Sequence, residues 1–341
     1  MFKFINLDEK DNSWFDSQDM QHLYTSPSWL RSIHDTYGFE ILLLVDEYDL
    51  YHTAFCKLNN ELGKQLVSFP FSDYLPFRGT GVNYFKSIFD FAKNQFPDYQ
   101  VTIKTAAPCE LELPQKLIRK AVYHMVTLQE EKPYFHKSFL RGVKKAKKLG
   151  VVIRVRNTVN ALNEFYELYH RLRIDKFESI PQPFLFFKTV FEQFIAKENG
   201  FILEAVYAEK VIGSMIILEH KTTAYYKFGC SNEEYLEYKP NNLLFYELRQ
   251  VLINKNFKYL DLGLSGCGDQ YSGLRRWKDH LGGVMHPISY WQLESLLSNQ
   301  EKNSIAQIKT NIQERTQKVI SDRMGPWETS EISEELYQYF A

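Results

Sequence analysis

The sequence predicts an α/β fold with mixed sheets, built as two tandem units of the order β-β-β-α-β-α-β. Three observations lead there. Stretches with strand periodicity and stretches with helix periodicity alternate along the chain. The second half repeats the order of the first: elements expected to start at 40, 65, 84, 100 and 122 have counterparts at 201, 223, 241, 257 and 285, an offset of about 160 residues. Between the halves lies the most biased stretch, Glu131 to Gly150, and from Lys132 to Asn163 there is no acid. No residue-level identity accompanies the repeat, so it is a repeat of architecture. The 341 residues suffice for two cores. The first unit is expected to take residues 1–130, completed by a helical tail (292–341), and the second to take 131–291.

Taken in order, Ser26-Pro27 supplies the cap and first-turn proline that open a helix, and Gly38 closes it. Residues 40–45, 50–57 and 65–69 read as strands. Phe85, Ile88, Phe89, Ala92 and Phe96 give 84–96 one apolar helical face. A strand over 100–104, a short helix over 113–120 and a strand over 122–128 complete the first unit. In the linker, Lys137, Arg141, Lys144 and Lys148 share one helical face, with Phe135, Phe139, Val143 and Ala146 opposite. Helices over 158–173 and 183–197 follow, then strands over 201–207, 211–218 and 223–228. A helix from Asn242, a strand from Phe257, a short helix near Lys278 and a strand over 285–293 close the second unit. The tail, with Ile305, Ile308, Ile312 and Val319 at helical spacing, is expected to dock on the first unit.

Composition excludes several classes. A net charge of −1 gives no basic field for nucleic acid. No apolar run approaches the roughly 20 residues of a membrane span, and the N-terminus lacks a signal-peptide layout, so a cytoplasmic protein is expected. Aromatics make up 16% of the chain, and core packing is their expected use. Cys56, Cys109, Cys230 and Cys267 lie far apart without metal-ligand spacing, so neither a metal site nor a disulfide framework is indicated. Cys267 lacks a histidine partner for nucleophilic work. The glycine-rich run 263–268 fails the dinucleotide fingerprint, since Tyr271 stands where the third glycine belongs. No phosphate-binding loop, Gly-x-Ser-x-Gly or His-Glu-x-x-His motif occurs.

The chemistry is expected between Thr223 and Gly283. Two adjacent strands ending in loops, with a helix start between them, form a wedge for an anionic ligand, because unpaired N–H groups at a helix start bind phosphate or an oxyanion. Asn241 and Asn242 stand at that start, either presenting amides to a pyrophosphate or capping the helix. Lys278 brings a mobile positive charge. Tyr226 and Phe228 alternate on one face to line a channel, Gly229 marks the strand end, and Asp261 or His280 relays a proton or serves structure. In the first half, 69–77 is an aromatic, proline-rich loop. There Asp73 and Tyr74 can hydrogen-bond a sugar or base while Trp29, Phe71 or Phe77 stack on it.

The tyrosine-rich strand, Pro240-Asn241-Asn242-Leu243-Leu244, Tyr259-Leu260-Asp261-Leu262-Gly263, Trp277-Lys278 and Gly282-Gly283 together resemble the FemAB-like branch of the GNAT acyltransferases. The family's aromatic–lysine pair is usually Phe-Lys, here Trp277-Lys278, and the simple GNAT coenzyme-A loop is missing. Arg141, Ala146, Lys147, Lys148 and Gly150 are similar to the family's entry into its second unit. The resemblance implies two fused GNAT-like units and an N-acyltransferase in which Lys278 and Asp261 carry catalysis. Tyr226, Phe228, Gly229, Asn241, Asn242, Arg141, Lys144, Arg276 and Trp277 would hold the donor; Trp29, Phe71, Asp73, Tyr74 and Phe77 would hold the acceptor. It further implies acyl-coenzyme A as donor substrate, no prosthetic group, and as acceptor a dTDP- or UDP-linked amino sugar of bacterial surface-polysaccharide synthesis (O-antigen, capsule or lipopolysaccharide). The alternatives are an aminoacyl-tRNA-dependent transferase acting on a peptidoglycan precursor, and a non-catalytic double-GNAT binding protein. A monomer or homodimer is expected.

Overall fold

The structure is a computed structural model that describes residues 2–106, 115–129, 135–293 and 299–341; Cys109 and the expected junction at 130 and 131 lie outside these. The chain divides into two compact units. The first is Met1–Val122 with Pro287–Arg315 and Leu336–Ala341, and the second is Tyr123–His286 with Thr316–Glu335.

The first unit contains β1 (Lys3–Asn6), α1 (Asn12–Ser17), α2 (Pro27–Tyr37), β2 (Glu40–Val45), β3 (Tyr51–Asn60), β4 (Gly63–Val67), α3 (Val82–Gln95), β5 (Gln100–Thr105) and the start of β6 (Lys116–Thr127). Helix α2 begins where Ser26 accepts from the Trp29 N–H with Pro27 in the first turn, and ends at Gly38 with φ 66°. Strands β1 to β4 pair antiparallel in chain order. Strand β4 then pairs parallel with β5, a connection that requires a crossover, here α3. The amphipathic face of α3 seats Phe85, Ile88, Phe89 and Ala92 against Leu42, Leu44, Phe55, Leu66, Val101 and Ile103.

Residues 115–120 do not form the expected helix. Leu117, Ile118, Ala121 and Val122 mimic helical spacing, yet the alternation of buried and exposed positions from Val122 to Leu128 extends back into one long strand, β6. The reading also passed over β1, α1 and the short strand Val152–Arg156.

The second unit holds α4 (Lys137–Lys148), β7 (Val152–Arg156), α5 (Val159–Arg171), α6 (Phe184–Gln193), β8 (Gly200–Tyr207), β9 (Lys210–His220), β10 (Thr223–Ser231), α7 (Pro240–Asn254), β11 (Tyr259–Gly266), α8 (Ser272–His280) and the start of β12 (Val284–Leu293). Its strands run β7-β8-β9-β10-β11, with the later part of β6 next to β11. The first four pairings are antiparallel except β10–β11, which is parallel across the α7 crossover. Helix α5 widens at its end into a π-helical turn, Leu172–Lys176. In the first unit the later part of β12 pairs antiparallel with β5. The tail forms α9 (Asn299–Ser321) and α10 (Pro326–Leu336), and only part of it counts with the first unit: residues 316–335 belong to the second. No described helix is long and apolar enough to cross a membrane.

Candidate active site

Strands β10 and β11 pair only from Thr223–Tyr225 to Tyr259–Asp261. Beyond that point β10 continues to Ser231 and β11 to Gly266 without pairing to each other, so the sheet splits into the expected wedge. Along the split, β10 stays bonded to β9 with one irregularity. Tyr226 faces Ile217 and Phe228 faces Ile216, which leaves Lys227 as an extra residue, a β-bulge.

The bulge overturns one expectation. Tyr226 and Phe228 oppose consecutive residues of β9, so they point to opposite faces of the sheet. Tyr226 packs against Phe245 at 4.8 Å between ring centroids, and Phe245 against Trp277 at 4.7 Å. Phe228 instead packs against Phe187 at 4.9 Å and Phe186 at 5.9 Å, on the α6 side. A Cβ at Gly229 would collide with the Tyr226 phenol oxygen, so the absence of a side chain lets that ring lie along the strand. Burial raises the Tyr226 phenol and the Cys230 thiol, keeping both protonated.

At the mouth of the wedge is a cavity of about 400 Å³. Tyr226, Gly229, Cys230, Asn241, Phe245 and Trp277 are among its walls, with Leu172, Phe177, Leu236 and Leu274 adding apolar surface. Lys176 and Glu233 stand at its rim as an ion pair of 2.9 Å. Helix α7 starts here at Pro240, two residues before the expected Asn242, after Lys239 in the left-handed conformation, and no side chain caps it. Neither asparagine is a cap. Asn241 accepts from the Ser231 hydroxyl at 2.8 Å, and Asn242 donates to the Phe139 carbonyl at 3.2 Å, tying α7 to α4. Gly142 makes that approach possible, since a Cβ there would meet the Asn242 amide.

Lys278 is not the mobile, solvated charge expected. It is 3% exposed and its ammonium donates to the Gly263 carbonyl at 2.7 Å and the Leu264 carbonyl at 3.0 Å. Those carbonyls belong to the split part of β11, so Lys278 fixes the β11 side of the wedge. Asp261, 1% exposed, accepts from the Gly263 N–H at 2.7 Å and thereby shapes the same stretch. Behind them the fully buried His124 lies 3.5 Å from Asp279, and burial together with the Lys278 charge lowers its pKa to about 4. His280 stacks on His136 at 4.2 Å. Arg276, Arg141 and Lys144 are exposed and do not line the cavity; Arg141 and Lys144 lie on the basic face of α4 as the spacing predicted.

The first unit has a corresponding point, where β4 pairs with β5 over three residues. There the chain after β4 folds back into the split. Ser68 N–H donates to the Thr102 carbonyl at 2.8 Å, the Lys104 ammonium to the Ser72 carbonyl, and Leu75 bridges Thr105. This placement removes two of the expected acceptor residues from use. Trp29 is fully buried with its indole N–H on Ser72 at 2.8 Å, and Tyr74 is 3% exposed with its hydroxyl on His22 at 2.8 Å. Phe71 is wedged between Tyr37 and Tyr337, and Asp73 is half-buried. Phe77 lines a cavity of about 450 Å³ with Tyr51, His52 and Arg78.

The sequence reading missed Phe245, Leu274, Lys176 and Glu233. Phe245 was findable, because it lies four residues after Asn241 on the same helix face. Lys176 was not, because nothing in the sequence marks a π turn.

A mixed sheet split between two parallel neighbours, with an uncapped helix start and an aromatic cavity at the mouth, is consistent with a GNAT-type fold. Residues 135–279 match the family profile described as Acetyltransferase (GNAT) domain. Among solved structures the chain is similar to that of FemX (11% identity, 85% of this chain and 96% of that one, TM-score 0.62). It is also similar to L-PGS from Bacillus licheniformis (12%, 84% and 93%, 0.54) and to a tandem GNAT protein from the clavulanic acid biosynthesis pathway (10%, 88% and 100%, 0.53). No curated protein matches the chain. Residues 135–279 thus carry a GNAT acetyltransferase domain, and most of the chain shares the fold of FemX and of the tandem GNAT protein. GNAT acetyltransferases use acyl-coenzyme A as a substrate and carry no prosthetic group.

Proposed function

We propose that this enzyme is an N-acyltransferase that moves an acyl group from coenzyme A to a primary amine within the second-unit wedge. The observation that carries the reading is the parting of β10 from β11 after Tyr225 and Asp261, with the cavity of Tyr226, Gly229, Phe245 and Trp277 at its mouth. Edge groups of β10 between Tyr226 and Ser231 have no β11 partner, and they supply fixed donors for a thioester carbonyl. The start of α7 offers its dipole to the pyrophosphate; Pro240 carries no N–H, and the Asn242 and Leu243 N–H groups already donate to the Lys239 carbonyl. The apolar walls hold the acyl chain. A neutral amine attacks the thioester carbon, the N–C bond forms as the C–S bond breaks, and the amine's proton ends on the departing thiolate. An amine of pKa about 8 is already roughly one-tenth neutral at pH 7, so no strong base is required. In this reading Lys278 and Asp261 are positioning residues that hold the Gly263–Leu264 stretch.

The expected acceptor, a nucleotide-linked amino sugar, is supported only by the first unit's cavity, where Phe77 and His52 offer ring faces and Arg78 a cation. A second reading, aminoacyl transfer from tRNA, draws on the likeness to FemX and L-PGS and on the exposed basic face of α4 with Arg141 and Lys144. Transfer assays with acyl-coenzyme A and with aminoacyl-tRNA separate the two. Activity with the thioester and none with charged tRNA supports the first. The reverse, with salt-steep tRNA binding lost in Arg141→Glu/Lys144→Glu, installs the second.

A further inference from the structure

The wedge cavity has a neighbour. A second cavity of about 250 Å³ shares Leu172, Lys176, Ser231 and Glu233 with it, so the two are chambers of one groove in the second unit. Their chemistry differs. The wedge chamber is walled by aromatic and aliphatic groups, whereas the neighbour is lined by Arg171, Asp175, Lys176, Asn232, Glu233 and Glu234.

The charges of the neighbour are not all spent on one another. Lys176 and Glu233 pair across the shared wall at 2.9 Å, and Glu234 lies 4.0 Å from Lys210. Arg171 and Asp175, both exposed, form no ion pair among the described residues. On a regular α-helix, residues four apart face each other and such a pair would close on itself. Here the π-helical turn from Leu172 to Lys176 intervenes, and it changes the angular spacing between the two side chains. The chamber therefore offers one uncommitted cation and one uncommitted anion next to the reaction site.

We infer that the charged chamber is the acceptor subsite and that it selects an amine whose carrier bears a nearby carboxylate, as an amino acid, a peptide end or an amino-uronic sugar does. The Arg171 guanidinium binds the carboxylate, and Asp175 holds the incoming ammonium until it gives its proton to solvent water at the rim by Lys176 and Glu233. The neutral amine then crosses the shared wall to the thioester. A paired site rejects molecules that lack one partner, because the unmatched charge gains nothing on binding. The inference rests on the N-acyl transfer reading and fixes its substrate class.

The test measures coenzyme A release by the full chain with matched acceptors, amino acids and dipeptides against their C-terminal carboxamides. The acids should exceed the amides in kcat/KM by roughly tenfold or more, the effect of one charge-assisted contact. Arg171→Gln should raise KM for the acids alone and erase that preference. Asp175→Asn should raise KM for acids and amides alike. Equal use of acids and amides, or an unchanged preference in Arg171→Gln, overturns the inference while leaving the transferase reading intact. No coenzyme A release with any amine overturns both.

Discussion

The two units reach the same branching point and treat it differently. In each, a parallel pair of strands joined by a crossover helix holds together for three residues and then parts. In the first unit the parting is filled by the chain's own loop. Phe69 and Phe71 adopt left-handed conformations with φ 36° and 59°, the chain reverses, and Leu75 returns to bridge Thr105. In the second unit the strand runs on instead. The bulge at Lys227 turns Tyr226 away from Phe228, and Gly229 keeps the strand surface bare beneath the Tyr226 ring. A few residues after a shared motif thus decide whether a sheet opening is packed shut or left as a site.

Breaking the open wedge should have the largest effect. Gly229→Val forces the Tyr226 ring off the strand and into the cavity. Steady-state assays should find kcat/KM lower by about 10²-fold or more, the scale of an ångström-level displacement at a reaction centre. Far-UV circular dichroism should be unchanged, and near-normal turnover would place the chemistry elsewhere.

Lys278→Ala should act on stability as well as on turnover. It strips two buried carbonyls of their donor and leaves a hole, at a cost of roughly 2–4 kcal/mol in urea unfolding. A loss below 0.5 kcal/mol would mean that the lysine is not the anchor of β11.

The His124 site makes the second unit acid-sensitive. Its folded pKa of about 4 lies below the ordinary 6.5, because burial, Lys278, Arg275 and His286 oppose the charge more than Asp279 favours it. Unfolded chains therefore take up the proton first as pH falls. Stability is full above about 6.5, declines between 6.5 and 4, and loses up to about 3 kcal/mol from this group. Comparing wild type with His124→Gln at pH 7 and pH 4.5 isolates that share; identical pH profiles would contradict it.

The smallest effect is expected at the sealed wedge. Lys104→Met removes the ammonium's bond to the Ser72 carbonyl. Thermal unfolding should register about 1 kcal/mol, with acyl transfer unaltered. A large fall in transfer would draw the first wedge into the reaction.

Much of this architecture was legible because it follows from periodicity and punctuation. Ser26, Pro27 and Gly38 bound α2 to the residue, and Glu40–Val45 was read as it stands. The wedge itself followed from two strands and a helix start. What escaped was whatever depends on a neighbour. The Lys227 bulge exists only in the register between β10 and β9, so alternation within β10 alone misassigned Phe228. The burial of Lys278 comes from the carbonyls it meets across β11, although a lysine in a basic run reads as solvated. Trp29 and Tyr74 looked like stacking platforms because aromatic residues near a loop are ambiguous until the packing is known.

Calorimetric titration of coenzyme A into wild type, Gly229→Val and Lys104→Met tests the central claim most directly. One open wedge and one sealed wedge predict a single site per chain with micromolar affinity and shallow salt dependence. That binding should be abolished in Gly229→Val and retained in Lys104→Met. Two sites per chain, or binding that survives Gly229→Val and disappears in Lys104→Met, would contradict the assignment of the donor to the second unit.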